Sequence, residues 1–212
     1  MTEIKSTSAI APAGAVTLPI VETFHSVQGE GAWTGTNAFF IRLAGCDVGC
    51  PWCDTKQSWP QQHHPQRLVA ELVAEAIAIA PAIVVVTGGE PLLHDLTLLS
   101  EGLRNSGLRV HLETSGAHPF SGSFDWVTFS PKPTKPPHAS IYAQVSELKV
   151  VVTAAADLAE AESYAAQVPA QAQQFLQPEW GNPDSYGLVL AYVLQHPEWR
   201  ISLQTHKFTH IR

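Results

Sequence analysis

Apolar, β-branched runs alternate along this chain with segments whose apolar positions recur at helical spacing. Ile20–His25 and Asn37–Leu43 (NAFFIRL) read as strands. Arg67–Ala80 puts Leu68, Val69, Leu72, Val73, Ala76 and Ile77 on one face, which predicts a helix ended by Pro81. Ala82–Thr87 (AIVVVT) is continuously apolar, as in a strand buried on both faces. Leu92–Ser106 predicts a second helix, closed by Gly107. Strands follow at Leu108–Glu113, Trp126–Ser130, Glu147–Val152 and Gln174–Gln177, with a helix at Ala155–Gln167 between the last two. Asp184–Gln195 predicts a final long helix and Arg200–Thr205 a last strand. This alternation implies an α/β fold whose strands are mostly parallel and joined by right-handed crossovers.

In such sheets ligand groups gather at the carboxyl ends of the strands. The polar punctuation falls there: Cys46, Thr87-Gly-Gly-Glu90, Glu113-Thr-Ser-Gly116, Ser130-Pro-Lys132, Lys149 and Gln177-Pro178. A curved, partly open barrel with one mouth would produce this regularity.

Composition narrows the class. A length of 212 residues suggests a single domain, and 45% hydrophobic residues suffice for its core. Net charge is −7, from 12 Lys and Arg against 19 Asp and Glu, which argues against nucleic acid as partner. No apolar run approaches the roughly 18 residues needed to cross a bilayer. Residues 1–17 are small and polar and read as a disordered arm, leaving 18–212 as the domain. Free thiols without an export signal imply a reducing cytoplasm.

The chain's three cysteines, Cys46, Cys50 and Cys53, all sit in AGCDVGCPWCDTK. An odd set of thiols in one loop cannot form a disulfide framework. It can wrap one metal centre. Iron–sulfur cubanes normally take four thiolates, so three leave one iron open to substrate or cofactor. A zinc site completed by a histidine such as His63 is the competing reading.

The Cys-x3-Cys-x2-Cys spacing, with Trp52 before the last cysteine, resembles radical S-adenosylmethionine (SAM) enzymes. That resemblance implies a [4Fe-4S] cluster whose open iron binds SAM, an abbreviated partial (β/α) barrel, and an electron donor such as flavodoxin or ferredoxin. Thr87-Gly88-Gly89-Glu90-Pro91 matches the family's methionyl-amine segment. Val27-Gln28-Gly29-Glu30-Gly31, Arg42, Cys53-Asp54-Thr55, Ser130-Pro131-Lys132, Glu147-Leu148-Lys149 and Gln204-Thr205-His206-Lys207 together resemble the 7-carboxy-7-deazaguanine synthases. These convert 6-carboxy-5,6,7,8-tetrahydropterin into 7-carboxy-7-deazaguanine and ammonia, toward queuosine, through a radical ring contraction in which SAM is regenerated.

The resemblance implies SAM contacts from Trp52, Cys53, Asp54, Gly88, Gly89, Glu90, Ser115, Ser130, Pro131, Lys132, Gln177, Pro178, Glu179 and Trp180. It implies substrate contacts from Val27, Gln28, Gly29, Glu30, Arg42, Thr87, His206 and the terminal carboxylate of Arg212. Thr55 would bind Mg2+, and the protein would be a homodimer. Arg42 can fork two donors onto the pterin carboxylate, while Gln28, Glu30 and the Val27–Gly29 backbone can accept from its amino edge. An activase that installs a glycyl radical on a protein partner shares the triad and the Gly-Gly-Glu segment. A non-catalytic zinc module is the reading from outside enzymology.

Overall fold

Each predicted strand finds its place in one sheet, because the apolar runs need cover on both faces. The computed structural model describes residues 15–211. The strands are β1 (Thr17–Val27), β2 (Asn37–Leu43), β3 (Gln66–Leu68), β4 (Ile83–Gly88), β5 (Val110–Thr114), β6 (Trp126–Phe129), β7 (Glu147–Val152), β8 (Gln173–Pro178) and β9 (Trp199–Ile201). Their order is β3-β1-β2-β4-β5-β6-β7-β8-β9. From β2 to β9 every pairing is parallel. The edges β3 and β9 do not meet, so the sheet curves without closing. No helix among the described residues is long and apolar enough to cross a membrane.

The helices are α1 (Val69–Ile79), α2 (Thr97–Asn105), α3 (Ala156–Ala165), α4 (Pro183–Val193) and the short α5 (Thr205–Thr209). Alternate strand residues point to opposite faces. One set, including Phe39, Ile41, Leu43, Val84, Val86, Leu112, Phe129, Leu148, Val150 and Leu176, forms the main core with residues of α1–α4. The other set faces the concave side. At its lower end Ala38, Phe40, Ile83 and Val85 pack with Phe24 and Trp33. At its upper end it turns polar.

Several elements differ from expectation. β1 runs antiparallel to both β2 and β3, since the segment joining β1 to β2 is too short for a crossover. It takes in Thr17 from the expected arm, and Val16 O accepts from Val69 N; residues 1–14 of that arm lie outside the described residues. The stretch from Arg67 begins as strand β3 and becomes helix only at Val69. The helix expected from Leu92 is divided: Pro91–Leu93 forms a short 3-10 turn, then Thr97 N donates to Asp95 Oδ1 at 2.9 Å in an Asx-type turn and α2 starts afresh. The last strand stops at Ile201. Thr205 N and Oγ1 both donate to Gly29 O, turning the chain across the mouth as α5.

Candidate functional site

A cavity of about 780 Å3 opens at the carboxyl ends of β2, β4, β5, β6, β7 and β8. Cys46, Cys50 and Cys53 line one wall as free thiols. Burial pushes the Cys46 and Cys50 thiols up, and at Cys50 the nearby Lys132 ammonium opposes it. The loop that carries them is pressed against the end of β4. Gly89 N donates to Leu43 O and Glu90 N to Gly45 O. A Cβ at Gly88 would meet Leu43 O at 2.3 Å, and one at Gly89 would meet Gly45 O at 2.3 Å. Both glycines line the cavity, but the atoms that exclude a side chain are those of the cysteine loop.

Glu90 is buried and its carboxylate is fully engaged. It accepts from Leu92 N, Thr114 Oγ1, Ser115 N and Ser115 Oγ. It therefore joins the β4 loop to the end of β5. Lys132 Nζ folds back on Ser130 O and Oγ, each at 2.6 Å. Burial holds this ammonium's pKa below the usual lysine range.

The concave side of the strands supplies the deeper wall: Arg42, Thr87, Glu113, Thr128, Lys149 and Gln177. Arg42 and Thr87 are register partners. Arg42 Nε donates to Glu22 Oε1 at 3.0 Å. Glu113 accepts from Gln28 Nε2 at 2.8 Å and from Thr87 Oγ1 at 3.0 Å, one on each oxygen. Lys149 is ion-paired with Glu30, whose other oxygen accepts from Gln204 Nε2 at 2.8 Å. Burial alone would raise the Glu30 pKa; the charge and bond of Lys149, with the Gln204 bond, hold it at about 2. Lys149 is correspondingly pushed up against its own burial. His206 lies over Gly29, where an added Cβ would meet its Nδ1 at 2.3 Å.

The Radical SAM superfamily pattern matches residues 40–128. A 7-carboxy-7-deazaguanine synthase of Synechocystis sp. is 55% identical over 93% of this chain and 95% of its own. That of Flavobacterium psychrophilum is 47% identical over 92% of each. The crystal structure of QueE from Escherichia coli superposes with a TM-score of 0.80 at 31% identity, covering 90% of this chain and 95% of that one. The chain belongs to the 7-carboxy-7-deazaguanine synthase family. It is an enzyme of the radical SAM superfamily, and neither the activase nor the zinc-module alternative is favoured.

The family's [4Fe-4S] cluster and SAM fit the residues present. Three thiols share one cavity wall, and His63, the alternative zinc ligand, is exposed and away from that wall. Among the described residues only Glu162, His196 and Glu198 bring three such ligand atoms within 4.8 Å of one another. The fit to the cluster rests on the three thiols sharing one cavity with the Gly88–Glu90 segment.

Most of the residues that the sequence assigned to this synthase site meet here. Trp52, Asp54, Thr55, Ser115, Pro178, Glu179 and Trp180 line the same cavity as the thiols, with Val27, Gln28, Gly29 and Glu30 across from them. Pro131 does not: it is buried, and strand-like alternation puts Ser130 and Lys132 on the cavity side instead. Arg212 lies outside the described residues. Gly29 O already accepts twice from Thr205, while Gln28 O accepts from Gly35 N and keeps a second lone pair. Glu113 and Lys149 line the cavity without having been assigned a role from sequence. Each is an ionisable residue on a predicted strand, but His111 and Glu147 share those strands, so the sequence did not single them out.

Proposed function

We propose that this enzyme converts 6-carboxy-5,6,7,8-tetrahydropterin into 7-carboxy-7-deazaguanine and ammonia, a step toward queuosine whose product is the one its relatives are named for. The observation that carries the reading is the single cavity that joins three free thiols to the inward-facing Arg42, Glu113 and Glu30. When bound at Cys46, Cys50 and Cys53, the cluster with SAM supplies the one-electron chemistry that removes hydrogen from the pterin carbon bearing the carboxylate. Glu22 engages Arg42 through Nε, so the two terminal nitrogens form the edge offered to that carboxylate. Glu113 keeps a second lone pair on each oxygen for the pterin's N–H edge, and Gln28 and Thr87 fix its orientation. Lys149 holds Glu30 as an anion beside the same edge. His206 covers the pterin side from α5. Trp52, Asp54, the Gly88–Glu90 segment, Ser115, Ser130, Lys132 and the Gln177–Trp180 segment surround SAM.

The reading extends to Mg2+, with Thr55 as its protein ligand; the Thr55 hydroxyl lines the cavity 3.7 Å from Cys53 Sγ. A flavodoxin- or ferredoxin-type donor would supply the electron. A homodimer is also part of it, supported by exposed Leu190 on α4, Leu194 just past its end and Ile201 on the edge strand β9.

Anaerobically reconstituted protein supplied with SAM, dithionite and the carboxytetrahydropterin should release 7-carboxy-7-deazaguanine, identified by mass spectrometry. Arg42→Lys should weaken apparent substrate affinity by about tenfold or more, because a point ammonium replaces a fork worth roughly 1.5–3 kcal/mol. SAM binding should survive that change. Absence of product from the wild type, or equal affinity in the variant, overturns the corresponding assignment.

A further inference from the structure

The Gln204–Lys207 segment enters the proposed function only through His206. Lys207 has contacts of its own that this role leaves unused. Its Nζ lies 2.8 Å from Asp54 Oδ2 and 2.9 Å from Gln204 Oε1. The same ammonium stands 5.3 Å from the centroid of the Trp180 ring. Three N–H donors thus meet a carboxylate, an amide oxygen and a π face.

These contacts join two sides of the cavity. Gln204 Nε2 continues from Lys207 to Glu30, and Glu30 continues to Lys149 inside the barrel. Thr205 N and Oγ1 hold Gly29 O. Asp54, at the other end, directly follows Cys53. The chain Lys149–Glu30–Gln204–Lys207–Asp54 therefore crosses the mouth from the pterin side to the cysteine loop. Phe208 adds an edge-to-face contact with Trp180 at 4.9 Å. A five-residue helix cannot hold its shape by its own backbone bonds. The contacts that it makes decide where His206 sits.

We propose that Lys207 is a positioning residue: it fastens α5, and with it His206, to the loop behind Cys53 through Asp54. The proposal rests on the reading of His206 as a substrate contact. Loosening this fastening lets α5 drift from Gly29 and costs substrate affinity; Asp54 loses one partner, while the Gly88–Glu90 segment keeps its own anchors. The side chain of Asp54 is about half exposed, at 53%, and that of Lys207 is 20% exposed, so the effect is moderate rather than all-or-none.

The test uses the full chain in two arms. In cofactor-free protein, hydrogen exchange of the amides of residues 205–209 should be about three- to tenfold faster in Lys207→Met than in wild type. Exchange in β4 should not change. Asp54→Asn should have a similar effect, and the double variant should be no faster than either single one, since both remove the same link. Lys207→Arg, which keeps the charge and the ring contact, should stay near wild type. In reconstituted enzyme, Lys207→Met should raise KM for the carboxytetrahydropterin by a similar factor, with kcat within about twofold. Unchanged exchange in Lys207→Met, additive effects in the double variant, or a fallen kcat at unchanged KM would each overturn the proposal. Failure of the wild type to turn over the pterin would remove the functional reading, and the exchange arm would still decide whether Lys207 fastens α5.

Discussion

Glu90 is 1% exposed, and its carboxylate is held by protein donors. Its stability comes from four donors: two backbone N–H groups and the hydroxyls of Thr114 and Ser115. Such charge-assisted bonds are short, and Thr114 Oγ1 lies at 2.5 Å. A carboxylate in a Gly-Gly-Glu turn reads in the sequence as a ligand for an ammonium. Its neighbours give it a second task, holding the β4 loop to β5. Glu90→Ala strands those donors in a dry site, at roughly 1–3 kcal/mol each before relaxation. The expected loss is about 3 kcal/mol or more of unfolding free energy, read by urea denaturation of the cofactor-free protein. Glu90→Gln should recover only part, since its amide turns two donors toward donors. A loss below about 1 kcal/mol in Glu90→Ala would mean that the four bonds contribute little.

At the scale of elements, the cysteine loop owes its position to β4. Gly88 has φ +154, and Gly89 has no room for a side chain between Gly45 O at 2.3 Å and Cys46 Cβ at 2.8 Å. These are backbone and Cβ atoms, which cannot swing aside as a flexible side-chain end would. Gly89→Ala should therefore push the Leu43–Cys46 segment away from β4. The expected outcome is lower iron uptake on anaerobic reconstitution together with a melting temperature lowered by several degrees; overpacking of this kind costs about 1–3 kcal/mol. Full iron content in a folded Gly89→Ala protein would show that the loop can reach its geometry without this contact. The Asp95 turn before α2 shows the same dependence on local chemistry. Apolar periodicity runs unbroken from Leu92, yet the chain turns at Asp95, whose carboxylate accepts from Thr97 N, before the helix begins.

The whole molecule is open at one end of its strands and stoppered at the other. Trp33, from the turn after β1, meets His111 of β5 at 4.8 Å and Trp126 of β6 at 5.7 Å between ring centroids. Arg109 lies over the Trp33 ring. Burial, and then the charge of Arg109, hold the His111 pKa down from 6.5 to about 4, and its Nε2 has no hydrogen-bond partner among the described residues. A depressed folded-state pKa means that neutral His111 contributes stability above pH 6.5, lost as pH falls toward 4. Glu30 is depressed from 4.5 to about 2, so its contribution is present above pH 4.5 and lost as pH falls toward 2. For His111 the full shift is worth on the order of 3 kcal/mol. Unfolding free energy should thus fall in two windows, followed by urea titration at stepped pH. His111→Phe should flatten the upper window and Glu30→Gln the lower one. An upper window of unchanged slope in His111→Phe would assign the acid sensitivity to other groups.

Much of this protein is written in its order of residues. Continuous apolar runs such as Ala82–Thr87 specify strands buried on both faces, and a helix between each pair specifies parallel pairing. Cysteine spacing depends on chain length alone, so a three-thiol loop could be read without coordinates. The sense of β1 escaped, because whether a connection crosses over or turns back depends on where the next strand finds a partner. The fate of the C-terminal segment escaped too. A strand pattern at Arg200–Thr205 competes with the bonds from Thr205 to Gly29, 176 residues away in sequence, and those win. Glu113 and Lys149 were visible as ionisable residues on strands that also carry His111 and Glu147, but sequence cannot say which such side chain points into a cavity and which out to solvent. That is settled by the parity of each strand within the sheet, a property of strand pairing and curvature. Only the tertiary structure sets Lys207 against Asp54 and turns the Gly-Gly-Glu segment toward the cysteine loop, because both contacts join distant segments whose closeness is a consequence of the packed barrel.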